Sequence, residues 1–285
     1  MQQPPHIIDR ALVREHLRRR PARADDFVTR LVLDDLSERL GTVTRTFSRA
    51  LIMAPDGSVL PPRGESANGS FPFERLSSVL GSDAAPAVDP ENLALPHQTY
   101  DLIVSILDLQ AVNDVPGFLR RVRDHLLPDG LFLGATLGGS SLAELRDAFL
   151  AADAELSGGA FPRVVPLIEV RDAGALLQRA GFALPVADVE SHTVRYADAL
   201  ALMREVKRLG ASNPLVERPS RLATLRLLGG AARMYGERFA DPDGRVRATL
   251  EVLWMSGWTP HESQQKPLAP GSAKVSLHDV LGPKG

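Results

Sequence analysis

The chain contains no cysteine, and its formal net charge at pH 7 is only −2. The missing cysteine excludes disulfides, a thiolate nucleophile and thiolate metal ligands, which fits a reducing compartment. The balanced charge gives no field over the whole chain that would attract nucleic acid. No apolar run reaches the about 18 residues of a membrane span, and residues 1–9 lack the apolar core of a signal peptide. We therefore expect a cytoplasmic protein with no transmembrane segment and no nucleic-acid partner.

Several catalytic motifs are also missing. The histidines include no His-Glu-x-x-His and no close pair at metal-ligand spacing, so we expect no metal site. No Gly-x-Ser-x-Gly elbow and no Gly-x-x-x-x-Gly-Lys loop occurs. Their absence argues against the hydrolases and nucleoside triphosphatases that depend on these loops.

The apolar pattern predicts an α/β core. Residues 100–107 form a near-continuous apolar run, which is typical of a strand buried on both faces of a parallel sheet. An amphipathic helix over 115–127 and a strand over 131–137 follow it, with a Pro-Asp-Gly turn between them. This β-α-β succession predicts a doubly wound α/β sheet.

The remaining periodicity predicts elements on both sides of this unit. Further strands are predicted at 48–54, 182–194 and 248–258, and helices at 7–17, 27–40, 142–156, 170–180, 197–209 and 220–239. Ser140 or Ser141 is the expected N-cap of the helix over 142–156. The arginine run at 18–20 is interpreted as a solvated helix face. Residues 59–70, where a helix would normally cover the first strand, are rich in Pro, Gly, Ser and Asn and predict an eroded first βα unit.

Short motifs along nearly the whole chain carry a family resemblance. They are YDLIVS at 100–105, VND at 112–114, LPDG at 127–130, GGSSLAELR at 138–146, RDAG at 171–174, GASN at 210–213, HESQ at 261–264 and GSA at 271–273. Together they resemble the branch of S-adenosylmethionine (SAM) methyltransferase-fold proteins that includes the mitochondrial complex I assembly factor and its bacterial relatives. The chain is similar, more distantly, to the malonyl-carrier-protein methyltransferase of biotin synthesis. GGSSL and HESQ are the most specific of these motifs.

The resemblance implies an α/β fold with a doubly wound, mostly parallel sheet of class I methyltransferase (Rossmann-like) type and extra helices at both ends. Residues 1–45 are then expected to be N-terminal helices that pack on the core. Residues 46–285 are expected to form the methyltransferase-like domain, with a helical insertion around 197–240. The resemblance also implies SAM as a cofactor and SAM-linked modification of a partner protein, with an arginine as one candidate target.

The first strand ends in residues that depart from a SAM site. Such a site has an acidic residue and a Gly-x-Gly-x-Gly-like turn there, so that backbone amides approach the cofactor closely. The corresponding positions in this chain are Ile52, Ala54, Asp56 and Ser58. Pro55 removes a backbone donor, Asp56 places a carboxylate near the expected position of the ligand's own carboxylate, and Gly57 is a glycine out of register. We infer that SAM binding in the usual pose is compromised.

Other candidate cofactor residues come from later strands. The resemblance implies an acidic ribose anchor at the end of the second strand. Residues 71–75 fill that place, with the basic Arg75 at the anchor position. Glu74 is the substitute candidate, or else a solvent-facing glutamate. Asp89 resembles the family's adenine-side aspartate, and it is equally a turn starter before Pro90. Ser105 and Leu107, at the carboxyl end of the strand over 100–107, complete the set.

The residues after this strand leave the chemistry open. Asp108 and Gln110 lie where open α/β sheets place ligands. The family has an aromatic or His-Trp-like pair near 110–111, so Gln110 removes an imidazole, and we assign no catalytic base.

Two functional hypotheses follow. The first is a methyltransferase-fold pseudoenzyme of the complex I assembly type with a degenerate SAM loop, acting on or with a protein partner, by resemblance a respiratory complex subunit. The alternative is an active SAM-dependent methyltransferase with a shifted cofactor pose.

Overall fold

The computed structural model describes residues 6–21 and 26–265. The strands are β1 (Ala50–Asp56), β2 (Arg63–Ser66), β3 (Gly69–Leu80), β4 (Tyr100–Ile106), β5 (Leu126–Leu137), β6 (Ala183–Tyr196) and β7 (Val246–Trp258). The helices are α1 (Arg10–Arg18), α2 (Phe27–Thr42), α3 (Val115–His125), α4 (Ala143–Ser157), α5 (Val170–Ala180), α6 (Ala199–Arg208) and α7 (Leu225–Phe239). The GSA motif at 271–273 lies outside the described residues.

The strands form one seven-stranded sheet in the order β2-β3-β1-β4-β5-β7-β6. β3, β1, β4 and β5 are mutually parallel, whereas β7 is antiparallel to both of its neighbours and β2 is antiparallel to β3. Because β6 is antiparallel to β7, it runs in the direction of the parallel strands. The prediction of a mostly parallel, doubly wound α/β sheet is confirmed.

The connection from β1 to β3 departs from an ordinary βαβ unit. Its described residues contain a 3-10 turn (Gly57–Val59) and the short strand β2, but no α-helix. A parallel pair needs a crossover that brings the chain back to the starting edge, and a helix usually provides it. Here the antiparallel β2 makes that return at the edge of the sheet. The sequence predicts the loss of a helix in this segment, but not the strand that replaces it.

Helices cover both faces of the sheet because alternate residues of each buried strand point to opposite sides. On one face α2 contributes Val32, Leu36 and Leu40 to a core that includes Ile52 of β1 and Trp254 of β7. The opposite core joins Leu51 and Met53 of β1 to Phe118 of α3 and Leu177 of α5. The central strands therefore read as continuous apolar runs in the sequence.

Most helix boundaries follow the predicted ones, and one cap differs. Gly158 and Gly181 end α4 and α5 in the left-handed conformation that favours glycine. The expected serine N-cap of α4 is wrong. Leu142 stands at that position with φ 56°, and the Ser141 hydroxyl instead donates to the Glu251 carbonyl oxygen at 3.1 Å.

Two of the resemblance motifs meet at the edge of the sheet where β5 begins. The Gln264 side chain donates to the Asp129 carboxylate and to the Thr259 carbonyl oxygen, both at 2.8 Å. HESQ thereby holds the LPDG motif in place, which is a structural role. The predicted turn at 128–130 is wrong, because α3 ends at His125 and β5 already begins at Leu126. Within the described ranges, no helix has both the length and the apolar character to cross a membrane.

Candidate functional site

The carboxyl ends of β3, β1 and β4 lie together because these neighbouring strands are parallel. The chain crosses from one side of β1 to the other at this point, and open α/β sheets bind ligands at such a switch. Asp56 ends β1, Ser78 lies near the end of β3, and Asp108 follows β4. These residues define the candidate site.

Asp56, the last residue of β1, forms an ion pair with Arg20. The Asp56 carboxylate accepts hydrogen bonds from the Ser58 amide at 3.1 Å and the Ser58 hydroxyl at 2.6 Å, and it pairs with the guanidinium of Arg20. Arg20 also lies 3.3 Å from the carboxylate of Asp26, the N-cap of α2. The Arg20 side chain is only 15% exposed. The interpretation of this arginine as part of a solvated face is wrong, because it pairs with a carboxylate that is remote in sequence.

Gly57 is explained by packing. Its amide donates to the Ser77 hydroxyl at 3.2 Å. A Cβ at this position would lie 2.5 Å from the Ala85 Cβ and 2.8 Å from the Leu76 carbonyl oxygen. The turn therefore approaches β3 so closely that no side chain fits. Its suggested role as a cofactor contact stays a prediction.

Glu74 does not lie at the end of the second parallel strand. It pairs with Leu51 in the middle of β3, which continues to Leu80. Its carboxylate accepts a 2.9 Å hydrogen bond from the Tyr100 hydroxyl, and burial together with this carboxylate raises the pKa of Tyr100. The prediction that residues 71–75 end this strand is wrong. β3 begins at Gly69, where it pairs with β2, and it continues to Leu80, so residues 71–75 lie inside it.

Asp89 caps the 3-10 turn Pro90–Asn92. Its carboxylate accepts from the Glu91 amide at 3.1 Å and the Asn92 side chain at 2.9 Å. Arg10 of α1 lies 3.7 Å away. These contacts are those of a turn starter, one of the two interpretations that the sequence leaves open.

Asp108, which follows β4, carries a buried carboxylate. Asp108 is 1% exposed and accepts hydrogen bonds from Ser105 at 2.9 Å and from Ser78. Burial raises its pKa to about 6, although the two serine hydrogen bonds and Arg10 act in the opposite direction. Arg10 donates to the carbonyl oxygens of Ser78 and Ala111, both at 3.0 Å. The predicted cofactor residue Ser105 therefore directs its hydroxyl at Asp108.

The chain leaves β4 through a strained residue. Leu107 has φ 56°, which a leucine adopts at a cost of roughly 1 kcal/mol. Its amide donates to the Ala135 carbonyl oxygen at 2.8 Å. Gln110 follows in the next turn and accepts a 2.8 Å hydrogen bond from the Thr136 hydroxyl. The sequence carries no signal for this conformation because leucine is not a residue typical of it.

One cavity adjoins the site, and a second cavity lies next to the first. The first, which we call the apolar cavity, has a volume of about 230 Å³ and is lined by Ala54, Asp56 and Leu107, among others. The other predicted cofactor residues, Gly57, Glu74, Asp89 and Ser105, do not line it. The second cavity has a volume of about 630 Å³ and shares Val164 and Leu167 with the first.

The second cavity has a polar rim. Arg146, Glu169 and Glu217 line it, together with Gly139 of the GGSSL motif. A Cβ on Gly139 would lie 2.1 Å from a carboxylate oxygen of Glu169, so this motif lets the carboxylate approach the backbone. Across residues 6–21 and 26–265, no three histidine or carboxylate side chains are grouped so as to hold a metal ion.

The sheet order is that of a class I methyltransferase fold, and comparisons with known proteins identify the same fold. A family model described as a methyltransferase domain matches residues 65–185. The chain is 31% identical to the malonyl-[acyl-carrier protein] O-methyltransferase of Halorhodospira halophila over 96% of each chain. It is 41% identical to the arginine-hydroxylase NDUFAF5 of Danio rerio over 67% of this chain and 60% of that protein. The chain belongs to the methyltransferase family that includes these relatives.

The chain thus spans 60% of the length of this mitochondrial relative. Among solved structures, the YcgJ protein of Bacillus subtilis aligns with a TM-score of 0.48 and 12% identity, covering 81% of this chain and 99% of that one. The expectation of a cytoplasmic protein is contradicted, because the NDUFAF5 relatives, including the human one at 40% identity, are named as mitochondrial proteins.

Proposed function

We propose that this chain is a methyltransferase-fold protein whose SAM site has degenerated and that it acts with a protein partner in respiratory complex I assembly. The observation that carries the proposal is the ion pair between Arg20 and Asp56 at the carboxyl end of β1. It places two bonded side chains where the methionine part of SAM would meet backbone amides.

The backbone around this ion pair does not fit the cofactor. A helix N-terminus after the first strand normally offers amides and a favourable dipole to a ligand. Among the described residues, the segment between β1 and β3 holds no α-helix. Pro55 has no amide hydrogen, and the Gly57 amide is directed at Ser77. The carboxylate of Asp56 would also repel the carboxylate of SAM.

The adenosine side lacks its usual anchor as well. An acidic residue at the end of the second parallel strand normally accepts hydrogen bonds from ribose hydroxyls. β3 ends in Ser78, Val79 and Leu80, none of which is acidic.

The volume of the cavity at the site is also too small for SAM. The apolar cavity has about 230 Å³, whereas sites for ligands of this size have about 300–1,000 Å³.

A protein partner is supported by the relatives and by the surface. The names of the relatives include an arginine-hydroxylase and an enzyme whose substrate is borne on acyl-carrier protein. Leu222 and Leu225 are 93% and 89% exposed at the start of α7. Two leucines exposed three residues apart in the chain support an apolar interaction surface there, since contiguous exposed apolar surface marks interaction sites.

Titration calorimetry with SAM and with S-adenosylhomocysteine, beside a thermal-shift assay, tests the loss of the cofactor. We expect no heat and no shift at millimolar ligand. Saturable micromolar binding, about −8 kcal/mol, would overturn the proposal and support an active methyltransferase with a shifted cofactor pose.

Restoring the glycines is a sharper form of the same test. A variant with Ala54→Gly, Asp56→Gly and Ser58→Gly should still not bind SAM, because the helix after β1 and the ribose anchor are missing. Circular dichroism should first establish that the variant folds. A gain of micromolar SAM affinity would mean that the loss is confined to this loop.

The partner role is tested by genetic complementation. Deletion of the gene should lower the amount of assembled complex I on native gels, and the wild-type gene should restore it. Leu222→Ser together with Leu225→Ser should fail to restore it, whereas Leu150→Ser, which alters an exposed leucine of α4, should restore it. Unchanged complex I in the deletion strain would contradict the proposal.

A further inference from the structure

We propose that the apolar cavity binds an aliphatic chain of roughly eight carbons whose head group is not anionic. This inference goes beyond the proposed function and rests on it in one respect, that SAM does not occupy this edge of the sheet. It follows from the lining, the size and the charge of the cavity.

Most of the side chains that line the cavity are aliphatic, and the charged ones are Arg20, Asp26 and Asp56. The aliphatic lining includes Val13 and Leu17 of α1, Ile106 and Leu107 at the end of β4, Leu137 at the end of β5, and Val164 before α5. No Phe, Tyr or Trp occurs among the described residues that line it. The cavity therefore offers no aromatic face for stacking a nucleobase. Its contacts are non-directional and suit a flexible hydrocarbon.

The size of the cavity sets the chain length. A cavity of about 150 Å³ with an aliphatic and aromatic lining accommodates benzene, which has six carbons. In proportion, about 230 Å³ accommodates roughly eight or nine carbons. A shorter chain would leave part of the cavity empty, and a longer one would extend out of it.

The charge at one end of the cavity selects the head group. Arg20, Asp26 and Asp56 all line it, and one guanidinium faces two carboxylates, which leaves a formal charge of −1. Their side chains are 15%, 23% and 18% exposed, so solvent screens this charge only partly. An anionic head would be repelled, whereas a neutral or cationic head would be accepted.

Calorimetric titration with the 1-alkanols from butanol to decanol tests the site. We expect the affinity to rise about fourfold per added methylene up to octanol and then to level off. The chain length at which the affinity levels off is called the optimum below. Octanoate should bind more weakly than 1-octanol by about tenfold or more, and octylammonium should bind no more weakly than 1-octanol. Affinities that do not depend on chain length, or tighter binding of octanoate, would overturn the inference.

Paired variants locate the site. Leu167 lines the cavity from the segment before α5, whereas Leu150 is an exposed leucine of α4 outside the lining. Leu167→Ala should move the optimum to a chain longer by about two carbons, because it enlarges the cavity. Leu150→Ala should leave the optimum unchanged. An optimum that does not move in Leu167→Ala, or that moves in both variants, would place binding elsewhere.

A filling variant gives an independent readout. Val164→Trp should lower the affinity for 1-octanol at least about tenfold, whereas Val170→Trp, at an exposed position outside the lining, should not. Thermal unfolding of both variants shows whether they fold. If Val164→Trp folds and binds octanol normally, the inference is wrong.

Repeating the alkanol series with SAM present separates this inference from the proposed function. SAM binding that leaves the affinity for octanol unchanged would overturn the loss of the cofactor alone, because SAM would then lie outside the cavity. SAM binding that weakens the affinity for octanol would overturn both the loss of the cofactor and the inference that rests on it. Absence of binding by both SAM and the alkanols would overturn the cavity inference alone.

Discussion

The Ser105 hydroxyl donates a 2.9 Å hydrogen bond to the carboxylate of Asp108, which the fold buries completely. Ser78 of β3 donates to the same carboxylate. β3 and β4 are the strands on either side of β1, so this carboxylate links them across the end of β1. A buried carboxylate that holds two strands together makes stability depend on its protonation.

Asp108→Asn should remove a specific pH dependence of stability. Burial raises the pKa of Asp108 from 3.8 to about 6 in the folded protein, so the folded state binds this proton more tightly than the unfolded state does. Its contribution is therefore fully present below about pH 4 and is lost as the pH rises through about 6. Relative to Asp108→Asn, the wild type should lose on the order of 3 kcal/mol of unfolding free energy between these limits.

Urea unfolding at pH 4, 5, 6 and 7 measures this difference. Asp83→Asn, at an exposed loop position, is the matched control and should follow the wild type. A wild type and an Asp108→Asn variant with parallel pH profiles would contradict the assigned pKa shift.

The ion pair between Arg20 and Asp56 should show a measurable coupling. Both side chains are mostly buried, so removal of the guanidinium leaves Asp56 poorly compensated. A double-mutant cycle with Arg20→Met and Asp56→Asn should give a coupling of about 1–3 kcal/mol in urea unfolding. The exposed pair Arg19 and Glu15, tested with Arg19→Met and Glu15→Gln, should give less than about 0.5 kcal/mol. Equal couplings in the two cycles would mean that burial does not strengthen the first pair.

Gly57→Ala should destabilise the protein by about 1–3 kcal/mol, because its Cβ would overlap Ala85 and the backbone of Leu76. Gly41→Ala is the matched substitution near the end of α2, where a Cβ meets nothing within 4 Å. It should stabilise the protein by about 0.5–1 kcal/mol through helix propensity. Thermal and urea unfolding of both variants provide the measurement. A neutral Gly57→Ala would show that the turn can move away from β3.

Removing the arginine of the Asp153–Arg163 ion pair should lower the free energy of unfolding much more than removing an arginine from an exposed ion pair. Asp153 is fully buried, and Arg163 donates to both of its oxygens, at 2.5 and 2.7 Å. Arg163→Met should cost about 3–5 kcal/mol because it leaves a buried carboxylate unpaired. Adding Asp153→Leu should recover much of this loss in urea unfolding. The exposed Arg233, paired with Glu155 and Glu237, should tolerate substitution by Met with little change. No recovery in the double variant would point to packing by the arginine instead of its charge.

The candidate site shows how far sequence reasoning reaches. The spacing of Ala54, Asp56 and Leu107 places them correctly at the carboxyl ends of β1 and β4, because a parallel strand carries its end residues to a known edge of the sheet. Sequence reasoning misplaces Glu74 at the end of a strand, since the length of β3 depends on its pairing with β2, which the sequence does not predict. It also misses Arg20 and the pairing of Asp108 with Ser78, because each joins segments more than two dozen residues apart.

The sequence by itself determined β1, β4, β5, β6 and β7, most of the helices and the glycine ends of α4 and α5. These depend on apolar periodicity and on backbone preferences that act within a few residues. The tertiary structure alone decided that β2 replaces a helix, that Arg20 covers the end of β1, and that an apolar cavity remains beside it. Those features depend on strand order and on side-chain packing between distant segments, which local preferences do not specify.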